Sequence, residues 1–234
     1  MKPIGHEAAA ETFLLSAILA LAGGFMDAYS FLTRGGVFAN AETGNMVLLG
    51  AYLLQGKPLK ALTYLVPVLA YAAGVLVAEH ARARLLKRRP DFHWRLFILG
   101  TEICVLVGVS LLPEPLDLLA NVLVAFTCAM QYESFRKVRG NAFASTMCTG
   151  NLRSGTENLF RYRQTGDRIA RDKMITYYGI IAIFITGAAL GALFSGLLGR
   201  RAILVCACIL LVSFLLLHSL GREVPEKDDA EGEL

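Results

Sequence analysis

The chain has 234 residues, of which 55% are hydrophobic and only 18% charged, with a formal net charge of +4. Its mean hydropathy is +0.52, whereas soluble domains carry about 25% charged residues and fewer apolar ones. That balance excludes a disordered chain, a collagen-like chain and a disulfide scaffold, argues against a soluble enzyme, and leaves a multi-pass membrane protein of about six spans.

The first apolar stretch covers 12–32 and carries an acid, Asp27, toward its far end. Ala20-Leu21-Ala22 resembles a signal-peptide cleavage site, but Glu7 and Glu11 precede the apolar core against one lysine, so a retained span is expected. Asp27 reads either as a proton- or cation-binding carboxylate or as a local cap or ion pair with Arg34.

A polar loop follows, with Asn40, Glu42 and the triplet Thr43-Gly44-Asn45. The apolar run after it, 46–54, is too short to cross a bilayer and suits a half-helix or re-entrant segment. Thr43 is a suitable N-cap. The helix start would turn free N–H groups and a positive dipole end into the membrane region, a device that receives anionic groups; an ordinary capping turn is the plainer alternative.

Further spans are expected at 61–80, 95–112, 116–135, 174–198 and 202–220, each helical because lipid offers no partner for free backbone groups. Glu102 lies in the third. Gln131 and Glu133 lie near the end of the fourth, where Arg136 and Lys137 offer Glu133 a surface pair. Basic segments 81–95 and 136–173 belong on the cytoplasmic side. Both termini are then inside, and only Arg34, Lys57, Lys60, Arg200 and Arg201 of the 23 basic residues fall outside. Residues 152–172 read as a basic interfacial helix, with an Arg153–Glu157 pair at i, i+4. This charge lies where topology demands it and does not indicate nucleic-acid binding. The stretch after Arg222 reads as a disordered acidic tail.

The chain repeats itself. Thr43-Gly44-Asn45 returns as Thr149-Gly150-Asn151, and at the same offset Asp27 meets Glu133 and Val37 meets Phe143. With a seven-residue shift, Gly74 meets Gly187 of a Gly187-x-x-x-Gly191 stripe suited to close helix packing or to a homodimer contact. Each half therefore reads span, T-G-N loop, span, span. An odd number of spans places the halves in opposite orientation: an all-α membrane protein of two three-helix inverted repeats, 1–112 and 113–221, with re-entrant or broken-helix T-G-N segments and the tail 222–234.

The runs Gly24-Phe-Met-Asp27-Ala-Tyr-Ser30-Phe31, Gly35-Gly36-Val37-Phe38 and Thr43-Gly44-Asn45-Met-Val-Leu-Leu-Gly50 resemble the signature of the YoaK-like family, small six-span bacterial membrane proteins. Ala129-Met130-Gln131 and Phe143 to Asn151 resemble its second motif, with a departure at Glu133, where the family more often has an uncharged amide. The resemblance implies a permease-like layout in the bacterial inner membrane and names no cargo.

No paired catalytic groups, nucleotide loop or metal-ligand spacing occurs, so no enzyme, cofactor or metal site is expected. The five cysteines read as small packing residues. The leading reading is a secondary transporter for an unidentified solute, open to proton coupling. Its candidate residues are Asp27, Asn40, Glu42, Thr43, Gly44, Asn45, Glu102, Gln131, Glu133, Thr149, Gly150 and Asn151. A channel shares the repeat without alternating access, and a non-transporting scaffold would use the T-G-N loops to hold a partner.

Overall fold

The computed structural model describes residues 12–88, 94–138, 141–142 and 148–222; the expected tail and the Phe143 match fall outside them. The described residues form eight α-helices: α1 Phe13–Thr33, α2 Glu42–Leu54, α3 Pro58–Arg88, α4 Trp94–Val109, α5 Asp117–Ser134, α6 Cys148–Thr165, α7 Arg168–Leu198 and α8 Ile203–Arg222. Short 3-10 turns, Glu114–Leu116 and Gly199–Ala202, precede α5 and α8. The remaining regular element is a two-residue antiparallel ladder, Lys137–Val138 on Asn141–Ala142.

Four helical stretches among these residues are long and apolar enough to cross a membrane: Phe13–Thr33, Pro58–Arg84, Glu114–Ser134 and Arg168–Leu220. The last runs for 53 residues and contains both α7 and α8. Large apolar side chains such as Leu32, Leu69, Leu76, Ile185, Leu193 and Leu211 stand exposed along these helices. So much outward apolar surface suits hydrocarbon and not water. The chain is a multi-pass membrane protein.

Two helices differ from expectation. The basic stretch after the second triplet is not one helix over 152–172: α6 begins at Cys148 and stops at Thr165, and Gly166 turns the chain at φ 68°. Asp167 then caps α7, accepting the N–H of Ile169 at 2.9 Å. The expected Arg153–Glu157 pair is present at 2.8 Å on the exposed side of α6.

Small residues set the packing. A Cβ at Gly187 would lie 2.0 Å from the Leu21 carbonyl oxygen, one at Gly191 2.5 Å from that of Phe25, and one at Gly24 2.0 Å from that of Phe184. Helices α1 and α7 therefore touch backbone to backbone, the close approach that small-residue stripes permit. The stripe is used within the chain, so it is not the surface through which two copies would meet. Gly74 does the same for α3 on α5, where a Cβ would lie 2.3 Å from the Phe126 carbonyl oxygen. Helices α2 and α6 lie on α3 and α7, while α4 and α8 pack together and against α5 and α1. The main core, with Leu19, Phe25, Leu99, Val124, Cys206 and Leu210, fills the space among α1, α4, α5 and α8.

Candidate functional site

The site begins where α1 ends. The Arg34 N–H closes the last turn on the Ser30 carbonyl at 2.9 Å. Gly35 and Gly36 follow at φ 81° and 78°, a left-handed pair that residues with a Cβ adopt at a cost. The chain reverses there and runs back along α1. By Asn40 it lies beside the middle of that helix: the Asn40 side-chain amide reaches the Gly23 carbonyl at 3.3 Å.

The Asp27 carboxylate receives this returning loop. Its Oδ1 accepts the backbone N–H of Asn40 at 2.7 Å and that of Ala41 at 3.3 Å. These amides lead directly into α2, which starts at Glu42. Asp27 thus acts as a cap supplied by a neighbouring helix. The expected cap, Thr43, lies inside the first turn; the N-cap position is Ala41, which has no side-chain bond to give. The expected Asp27–Arg34 pair is also absent. Arg34, 1% exposed, instead donates to Asp117 at 2.9 Å, to the Tyr29 hydroxyl at 2.9 Å, and to the carbonyls of Val109 and Leu112 at 2.8 and 3.0 Å.

Within the first triplet the three residues have different tasks. Asn45 is fully buried and clamps the Phe38 backbone in both directions: its Oδ1 accepts the Phe38 N–H at 3.0 Å and its Nδ2 donates to the Phe38 carbonyl at 2.9 Å. The same Nδ2 donates to Glu42 at 2.9 Å. Gly44 makes room for the Phe38 ring, whose Cδ2 and Cε2 would lie 2.9 Å from a Cβ. Phe38 also stacks on Phe31 of α1, with ring centroids 4.8 Å apart. Two of the three motif residues therefore lock the returning loop, and Thr43 faces open space.

Helix α2 and the first part of α3 form a hairpin with legs of about 20 Å at 1.5 Å per residue. Gly56 turns it at φ 69°, and Tyr52 stacks on Tyr64 at 5.5 Å. Equal legs bring Tyr71 of α3 level with the start of α2.

There a cavity of about 690 Å³ opens, lined by Asp27, Asn40, Glu42, Thr43 and Tyr71, by Phe31, Phe38 and Phe184, and by Cys148, Thr149 and Gly150 at the start of α6. The two T-G-N helix starts, 106 residues apart in sequence, thus face one space. Tyr71 and Phe184 lie near the middle of α3 and α7, while on α1 the lining runs from Asp27 to Leu32, toward the C-terminal end of that helix. Asn151 is buried behind the lining, as Asn45 is.

The other predicted residues lie elsewhere. Glu102 and Gln131 are buried together between α4 and α5. With its amide nitrogen facing the acid, Gln131 donates to both Glu102 oxygens at 2.8 and 2.9 Å. Neither lines the cavity. Glu133, itself buried, pairs with the exposed Arg136, which also reaches Glu79. Tyr71, Phe38 and Cys148 escaped sequence reasoning; a lone tyrosine in an apolar span was the available sign for the first. Among the described residues no group of three metal-ligating side chains occurs.

Comparison with known proteins agrees with the membrane fold. The family model described as "Protein of unknown function (DUF1275)" matches residues 15–216. The chain is 24% identical over 199 residues to the UPF0700 transmembrane protein YoaK of Bacillus subtilis (strain 168), covering 80% of this chain and 85% of that protein. No solved structure matches. With its matched region spanning α1 to α8, the chain belongs to the DUF1275 family, and the transmembrane protein YoaK is similar to it.

Proposed function

We propose that this protein is a secondary transporter of the bacterial inner membrane that carries a small solute through the cavity at Asp27, without chemistry on the solute. The observation that carries the reading is the meeting of the two T-G-N helix starts at one cavity, deep between long apolar helices. Broken or re-entrant helices that begin at a mid-membrane site are a recurring plan of such carriers.

The packing supports six spans, α1, α3, α4, α5, α7 and α8, in two halves, 1–112 and 113–221. Pairing α1 to α4 with α5 to α8 maps the largest helix contacts onto one another: α1 on α7 becomes α5 on α3, and α2 on α3 becomes α6 on α7. The carbonyl groups met by Gly187 and Gly74 occupy nearly equivalent places, Leu21 and Phe126. Three spans per half make the relation an inverted one, with both termini cytoplasmic by the distribution of basic residues. Such halves rock against one another about a fixed site.

Cys148 lines the cavity and provides a test that needs no known cargo. A variant keeping only this cysteine, reconstituted in vesicles, should react with an impermeant thiol reagent applied to either face. Lack of reaction from both faces would end the transport reading.

A further inference from the structure

We infer that the cavity selects an organic cation, a protonated amine carrying an apolar or aromatic body. The inference rests on the reading of this cavity as the solute site and adds the class of solute.

The charge of the lining is one-sided. Asp27 and Glu42 both line the cavity, and among the described residues no lysine, arginine or histidine does. The positive end of α2 would attract an anion, but that end is already met by carboxylates of the protein itself, Asp27 at the Asn40 and Ala41 amides and Glu42 in the first turn. An arriving anion would face two acids and find the dipole taken.

Hydrogen bonding points the same way. Glu42 Oε2 accepts from Asn45, but Glu42 Oε1 and the Tyr71 hydroxyl are buried without a hydrogen-bond partner among the described residues. Unpaired buried polar atoms are costly and call for a complement. Both oxygens can accept, and an ammonium head offers only donors with a positive charge. The rest of the wall is apolar: Phe31, Phe38 and Phe184 contribute rings, whose faces attract cations and whose bodies suit a hydrocarbon group.

The experiment compares benzylammonium, benzyl alcohol and benzoate, one ring with three head-group charges, by calorimetric titration of the detergent-purified full chain. Benzylammonium should bind at least about tenfold more tightly than benzyl alcohol, about 1.4 kcal/mol, and benzoate most weakly. Asp27→Asn and Glu42→Gln should each reduce that preference, and Tyr71→Phe should weaken benzylammonium while leaving benzyl alcohol nearly unchanged. If Asp27→Asn does not fold, the other two variants carry the test. Benzoate binding as tightly as benzylammonium, a preference untouched by the folded variants, or absence of saturable benzylammonium binding would each overturn the inference. Its failure is separable from that of the transport reading. Cation preference with Cys148 closed to both faces keeps the solute class and removes transport; Cys148 open to both faces with benzoate preferred does the reverse.

Discussion

The Asp27 carboxylate on α1 accepts the Asn40 amide at 2.7 Å, so one helix supplies the cap for the next. The acid therefore has two separable roles, holding the start of α2 and presenting charge to the cavity. Asp27→Asn keeps an oxygen acceptor and should stay within about 1 kcal/mol of the parent in stability; Asp27→Ala loses the cap and should cost about 1–2 kcal/mol. Unfolding of the purified variants in detergent distinguishes them. Equal stability of Asn and Ala variants would deny the capping role.

The Asn45 clamp gives a second expectation. Asn45→Ala leaves the Phe38 N–H and carbonyl without partners, and should cost about 3 kcal/mol at 1–3 kcal/mol per buried unpaired group. Gly44→Ala presses on the Phe38 ring and should cost about 1 kcal/mol, a loss that Phe38→Leu reverses. A double-mutant cycle without coupling would separate Gly44 from Phe38.

Glycines on one helix should behave oppositely. Gly187→Ala places a methyl group against the Leu21 backbone and forces α1 and α7 apart, so little folded protein should be recovered. Gly196→Ala meets nothing within 4 Å and should be neutral or stabilising by about 0.5–1 kcal/mol. Size-exclusion profiles of the two proteins decide the matter; similar profiles would refute the packing argument.

Arg34 closes the far side of the bundle. Arg34→Met leaves two carbonyls without their donor and Asp117 with the longer Arg200 contact at 3.4 Å, and should cost about 3–5 kcal/mol, as breaking one side of a buried pair does. Arg34→Lys keeps the charge but cannot form the same fork, so it should restore less than half of the loss. Thermal unfolding in detergent measures both, and full restoration by lysine would show that charge alone matters.

Composition was enough to read the membrane class, because hydrocarbon permits few solutions for a backbone. The repeated triplet also pointed to paired special segments, and both do begin at the cavity. The roles inside the triplet were hidden. Thr43 has the composition of a cap, but Asp27 performs that task from 13 residues before Asn40, a distance with no local spacing rule. The turn at Gly35 and Gly36 sends Arg34 toward Asp117 and the loop toward Asp27, so the nearest opposite charges in sequence do not meet. Glu102 found its partner, Gln131, 29 residues away on another helix, a pairing that only packing decides.

On the proposed transport reading, the amide clamp at Asn45 separates what holds the loop from what would choose the solute. Gly44 and Asn45 could stay unchanged while the solute changed altogether, since neither touches the open space. Selectivity would instead be written at scattered single positions. Glu42 in the first half and Cys148 at the matching place in the second illustrate this, as the same spot carries an acid in one and a thiol in the other. Exchanging these two side chains would move the charge across the cavity while the Asn45 lock stays in place, which on the transport reading makes the pair a natural point for changing the solute.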